Sequence, residues 1–407
     1  AREYDKNIFN KEVVRNLNIL SIQESNLISR AIIDNISNDL QKENLIYLLD
    51  NFINAKEIGS LLLLEKKDYD ELEKTINNDV TIFGIEMREK VLPLIKIAKL
   101  LSGKFDVVVT NPPYMNNSVM SNNLKNYIYN NYSSFKSDMF SAFIVRNSYL
   151  SKNNTYLGFM TPYVWMFISS YEKLRNYIID NMNITSLIQL EYSALEEATV
   201  PICSFVLKNV YNSDEKGVYF RLVDFKGGMS IQENKYLEML NKQENNMCFV
   251  KDVKQFKETP NMVISYWLTD NLISLFKNSK KISDIAEVKQ GMTTSDNNRF
   301  LRFWYEVGND RIGYGLKTLD DAKNSKYKWF PYNKGGEFRK WFGNDEYVVN
   351  YYNNGEEMEA FHNELNKKSS GGRIKNKEYY IRKCISWSKI SSASLAFRFK
   401  DSGFIFD

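Results

Sequence analysis

The run Phe105-Asp106-Val107-Val108-Val109-Thr110 leads directly into Asn111-Pro112-Pro113-Tyr114. It is almost continuously apolar, the pattern of a strand buried on both faces within a parallel sheet. Two consecutive prolines then end it, because each fixes φ and neither has an N–H to give to a sheet. Parallel strands need long crossover connections, usually helices. This junction therefore predicts an α/β layered fold. The surrounding sequence agrees. Helical patterns cover Ser25 to Ala55, Gly84 to Leu101, Ser137 to Leu150 and Tyr171 to Asn181. Strand patterns cover Asn18 to Ile22, Tyr156 to Met160, Thr185 to Leu190 and Ile202 to Leu207.

That alternation holds over residues 1–210. Residues 211–281 are less regular and read as a connecting region. From Ile282 the pattern changes to short strands, glycine-containing turns and aromatics, so 282–407 is expected to be a separate α+β domain. From Lys281 onward Lys and Arg outnumber Asp and Glu, whereas the residues before it are close to neutral. Trp304, Trp329, Trp341 and Trp387 also fall there. Basic charge with aromatics suits a nucleic-acid surface. A basic solvated face is the plainer account of the charge alone.

Several chemistries are excluded by residue type. The chain has one histidine, His362, in a polar helix-like stretch where a solvated surface position is expected. Ser-His-Asp and Cys-His catalysis and an ordinary zinc site thereby lose their basis, and no metal is expected. Cys203, Cys248 and Cys384 are far apart, which fits a reducing cytoplasm better than a disulfide framework. No apolar run approaches the ~20 residues needed to span a membrane. Ala1 to Lys6 do not read as a signal peptide. A start at Ala1 inside a helix-like run, and an end on the strand-like Gly403-Phe404-Ile405-Phe406-Asp407, suggest a piece of a longer protein.

The motif after the strand offers a specific chemistry. The side-chain oxygen of Asn111 and the main-chain carbonyl of Pro112 are two hydrogen-bond acceptors on a stiff loop. An exocyclic amine such as N6 of adenine is a poor nucleophile, because its lone pair is conjugated into the ring. Acceptors placed on both of its N–H groups favour the geometry in which that lone pair points out of the ring. A rigid loop limits reorganisation in the transition state. Tyr114 can stack on a base extruded from the duplex. In open α/β sheets ligands bind beyond the carboxyl ends of strands, where this motif lies. A simple turn is the alternative reading of the tetrapeptide.

The strand and tetrapeptide resemble motif IV of amino-methyltransferases of the adenine-N6 type. The resemblance extends along the chain. Asp138-Met139-Phe140 resembles motif V, which helps to line the methyl-donor pocket. Gly158-Phe159-Met160-Thr161-Pro162 resembles motif VI, and Tyr171 to Arg175, continuing to Ile178, the helix after it. Glu191 to Leu207 resembles motif VIII, whose aromatic residue stacks on the other face of the target base. Leu195 stands at that position, with Tyr192 nearby, so the second stacking partner is open between them and a core role for Leu195. Gln290-Gly291-Met292-Thr293-Thr294 and Asp296-Asn297-Asn298-Arg299-Phe300 resemble the opening of a target-recognition domain. Lys328 to Trp341 and Glu196-Glu197-Ala198-Thr199-Val200-Pro201 are similar to blocks in PglX-type methyltransferases of BREX phage-defence systems.

The resemblance implies a partial Rossmann-like methyltransferase sheet followed by a target-recognition domain. It also implies S-adenosylmethionine as methyl donor, and double-stranded DNA and other phage-defence proteins as partners. Lys334, Arg339 and Lys340, with a looser group around Lys367, Lys368, Arg373 and Lys375, are candidate DNA contacts or merely solubilising charges. Family members hold the donor with a glycine-rich loop and an acidic residue, and neither precedes Asn111, where the glycines are Gly59, Gly84 and Gly103. Aligned to the family, Asn18 to Ile22 becomes the third strand. Gln23 and Glu24 then lie at its end near the donor's adenine, or serve as helix-capping or solvated residues. Without the donor loop, these residues alone are expected neither to bind the donor tightly nor to methylate. Competing readings are a type I or IIG restriction-modification subunit, a glutamine-N5 protein methyltransferase, and a non-catalytic scaffold binding DNA or phage protein. A basic aromatic domain after the catalytic one argues against the glutamine enzyme. Cytosine-C5 chemistry needs a cysteine nucleophile, whereas Cys203 follows Ile202 in an apolar strand pattern.

Overall fold

Strand β1, Phe105–Thr110, does form, and it pairs in parallel with β2, Ser151–Pro162. A computed structural model describes residues 18–192, 200–241, 247–367, 372–389 and 394–407. The chain folds as two compact units, Ala1–Ser279 and Lys280–Asp407.

The first unit is built on a six-stranded mixed sheet with the order β1-β2-β4-β3-β5-β6. Here β3 is Asn183–Gln189, β4 Ile202–Lys208, β5 Gly217–Arg221 and β6 Cys248–Lys251. Strand β4 runs antiparallel to both neighbours, β2 and β3. The α/β class expected from the sequence is therefore observed. Residues 211–281, which read as a connection, include β5 and β6 of the same sheet. Their pattern was illegible because each strand is only a few residues long.

Two expectations about the sheet are corrected. Strand β1 is not buried on both faces: Val107 is 59% and Val109 74% exposed. Among the described residues it lies at the sheet edge, and the face carrying Phe105, Val107 and Val109 is exposed. Asn18 to Ile22 form no strand, and Ile19 is exposed. An apolar run that short has no strand character until a neighbour supplies its hydrogen bonds.

The core lies where β2 and β4 face the helices. Phe159 stacks on Phe205 at 5.2 Å between ring centroids, and Trp165 packs on Phe205 at the same distance. The helix Met139–Leu150 is buried along nearly its whole length. Two buried guanidiniums staple this region through carbonyl oxygens. Arg175 donates to Trp165 at 2.7 Å, Ile168 at 2.8 Å, and Asn261 at 3.0 and 2.8 Å. Arg146 donates to Ser60 at 3.0 Å and Leu101 at 2.6 Å.

The second unit has a four-stranded sheet and a two-stranded ribbon. The sheet contains β7, Leu301–Phe303, β8, Trp329–Asn333, β9, Tyr347–Asn350, and β12, Ile405–Phe406. The ribbon is β10, Cys384–Trp387, with β11, Phe397–Lys400. His362, expected at a solvated surface, is buried, with Nε2 3.4 Å from the carbonyl of Thr294. Its helix is polar overall, but His362 shares the inward face with Met358, four residues earlier.

Candidate active site

Register places the motif. Thr110 pairs with Phe159, so the chain leaves β1 beside Met160 of β2. Pro112 is buried, whereas Asn111 and Pro113 are exposed. The Tyr114 hydroxyl donates to Asn111 Oδ1 at 3.0 Å and faces the Met160 carbonyl at 3.2 Å. One proton is thus shared between two acceptors. Burial of the ring holds the Tyr114 phenol above its ordinary pKa, so it remains a neutral donor.

Asp138 anchors the far side of the loop. Its Oδ1 accepts from the Met115 N–H at 3.0 Å and from the Phe140 N–H at 3.2 Å. Asp138 is therefore the N-cap of the helix Met139–Leu150 and a clamp on the residue after Tyr114. The Met139 N–H returns a bond to the Met115 carbonyl at 2.9 Å. Asp138 is 8% exposed, and desolvation raises its pKa against the opposing pull of those backbone N–H groups. Phe140, next along, meets the Tyr114 ring edge-on at 6.5 Å and stacks on Tyr171 at 5.4 Å. The three motif-like stretches named from the sequence, around Asn111, Asp138 and Met160, converge here. The sequence assigned Asp138 to the donor pocket and did not reveal its clamp on Met115. The signal was available, since an Asp just before an apolar helical run is an N-cap pattern.

The remaining candidates are placed as follows. Gln23 and Glu24 lie in chain without regular secondary structure, with the Gln23 amide turned back on Ser21 Oγ at 2.8 Å, so their place at a strand end does not hold. Tyr192 is exposed, whereas Leu195 lies outside the described residues. Cys203 is buried in β4 and its thiol is pushed up to about 12 by desolvation, which removes it as a nucleophile. In the second unit Lys334 Nζ sits 5.1 Å from the centre of the Tyr347 ring. Lys334 also lines a cleft of about 320 Å³ with Asp407, Thr293, Thr294, Ser295, Asn297 and Tyr332. Arg339 is paired with Glu346 at 2.7 Å, Lys340 lies near Phe338, and Arg373 is exposed. Among the described residues no cluster suited to a metal ion occurs, and no helix is long and apolar enough to cross a membrane.

Residues 5–195 match the family described as Eco57I restriction-modification methylase. The particular likeness is to PglX. An adenine-specific methyltransferase PglX of Lacticaseibacillus casei (strain Zhang) is 35% identical over 89% of this chain and 31% of that protein. The adenine-specific methyltransferase BrxX of Escherichia coli O9:H4 (strain HS) is 30% identical over 100% of this chain and 34% of that protein. The resemblance read from the sequence is borne out, and the chain spans roughly a third of the length of these relatives. A type I restriction-modification methyltransferase subunit from Streptococcus thermophilus aligns with TM-score 0.33 and 15% identity, covering 44% of this chain and 46% of that one.

Proposed function

We propose that this chain is the base-handling and target-recognition part of an adenine-N6 DNA methyltransferase of the PglX type, acting in phage defence with partner proteins in the cytoplasm. The observation that carries this reading is the Tyr114 hydroxyl 3.0 Å from Asn111 Oδ1. That bond orients an acceptor beside an aromatic ring at the end of a parallel strand. The Asn111 oxygen and the Pro112 carbonyl accept the two N–H groups of the target amine. The ring of Tyr114 holds the base, with Tyr192 or Leu195 for its other face. Lys334, Arg339, Lys340 and Arg373 contact the duplex.

In the reaction the family's description implies, the methyl group comes from S-adenosylmethionine. Among the described residues the donor side is incomplete. Gly59 closes a short helix, Gly84 lies inside a helix, and Gly103 follows one. None forms a strand-to-helix turn that would admit the donor. Asp138, Gln23 and Glu24 remain the candidate donor-side residues. The experiment is Asn111→Ala in the whole protein, with methylated adenine mapped by sequencing. Loss of one oriented acceptor removes roughly 3–4 kcal/mol of transition-state stabilisation. Near-normal adenine methylation by the variant would falsify the assignment.

A further inference from the structure

The loop between β8 and β9 carries three large rings in solvent. Trp341 is 71%, Phe342 77% and Phe338 49% exposed. Single exposed aromatics are ordinary on protein surfaces. Here the backbone beneath them is held, and one ring sits on a residue of unfavourable conformation. Trp341 has φ +70°, a region that bulky side chains seldom occupy. Its N–H donates to the Phe397 carbonyl at 2.7 Å, and its own carbonyl accepts from the Phe399 N–H at 3.0 Å. Buried Lys400 donates to the Gly343 carbonyl at 2.7 Å and pairs with Asp345. Buried Asn344 donates to the Glu337 carbonyl at 3.2 Å. Strain that persists against this much anchoring marks a placed side chain rather than a slack loop.

We infer that Trp341 and Phe342 form a wedge that enters the base stack of duplex DNA. The inference rests on the DNA reading above and goes beyond it in naming the element and its mode of contact. Rigid apolar rings projecting from a fixed backbone are what partial intercalation needs, because the protein then loses little conformational freedom on insertion. The charges beside the rings favour nucleic acid over a protein surface. Of the three acids of the loop, Asp345 pairs with buried Lys400 and Glu346 with Arg339, while Glu337 is exposed. Lys340 has no ion pair among the described residues and is free for phosphate, whereas Lys334 shares its cleft with Asp407. Unstacking at the wedge bends the helix, so the loop acts through DNA deformation as well as contact.

The test uses the whole protein and a duplex carrying its methylation site, labelled at both ends for energy transfer. Trp341→Gly is the informative variant, because glycine accepts a positive φ without strain. The wedge predicts DNA binding weakened about tenfold or more, a reduced bend, and a thermal midpoint equal to or above that of the wild type. A structural role for the ring would lower that midpoint. Trp341→Phe keeps a ring and is expected to restore most of the bend. Phe342→Ala provides a second variant free of any backbone change. Wild-type affinity and bend in both Trp341→Gly and Phe342→Ala overturn the wedge while leaving the DNA reading in place. A wild-type protein that neither binds duplex DNA nor methylates adenine overturns both.

Discussion

The hydroxyl of Tyr114 donates to Asn111 Oδ1 at 3.0 Å, so under the proposed function the ring assigned to stack on the base also orients the oxygen assigned to receive its amine. Tyr114→Phe keeps the ring and loses that bond, at a cost of about 0.5–1.5 kcal/mol. Tyr114→Ala also loses stacking worth ~1–3 kcal/mol. Single-turnover methylation by the whole protein is expected to fall in the order wild type, Phe, Ala. Equal loss in the two variants would assign the whole effect to the hydroxyl.

Asp138→Asn retains an oxygen that accepts from Met115 and Phe140 while removing a desolvated charge. The folded pKa of Asp138 is raised above its usual 3.8. The folded state therefore binds the proton more tightly than the unfolded state, and wild-type stability falls as pH rises through that window. The Asn variant lacks this dependence. Thermal midpoints recorded from about pH 3 to 7 should converge at the acid end, with the variant equal or higher at neutral pH. Asp138→Ala, which loses both bonds, should be less stable throughout.

Arg175→Lys replaces a planar group that reaches the carbonyls of Trp165, Ile168 and Asn261 together. An ammonium cannot span them, so at least one buried carbonyl loses its partner. A destabilisation of about 2–4 kcal/mol is expected, read as a lower urea midpoint. An unchanged midpoint would mean that water replaces the lost donors.

Gly291 passes so close to β12 that an added Cβ would lie 1.8 Å from the Phe406 carbonyl oxygen. Gly291→Ala should therefore loosen the second unit by roughly 1–3 kcal/mol. Limited proteolysis ought to cut residues 280–407 faster while 18–279 stay resistant. Equal resistance in both units would show that the strand yields without cost.

Much of this protein is legible in its sequence, because the information concerned is local. The prolines and the apolar strand located the Asn111 loop, the 3.6-residue period located the helices around it, and the change of pattern near Ile282 lies close to the boundary between units at Lys280. Other features depend on neighbours distant in sequence. The position of β1 at the sheet edge depends on which strands pair, and an apolar run reads alike at a centre or an edge. Asn18 to Ile22 had strand composition but no strand partner among the described residues. His362 looked polar by its neighbours and is buried by its helix face. Asp138 belonged by motif to one pocket, yet its carboxylate reaches Met115, 23 residues earlier in the chain. Periodicity and turn chemistry act over a few bonds, so the amino-acid sequence alone determined many of the elements and the Asn111 loop. Sheet order and burial join residues far apart in the chain, as the Tyr114–Met160 contact does across 46 residues, and only packing in three dimensions decided them.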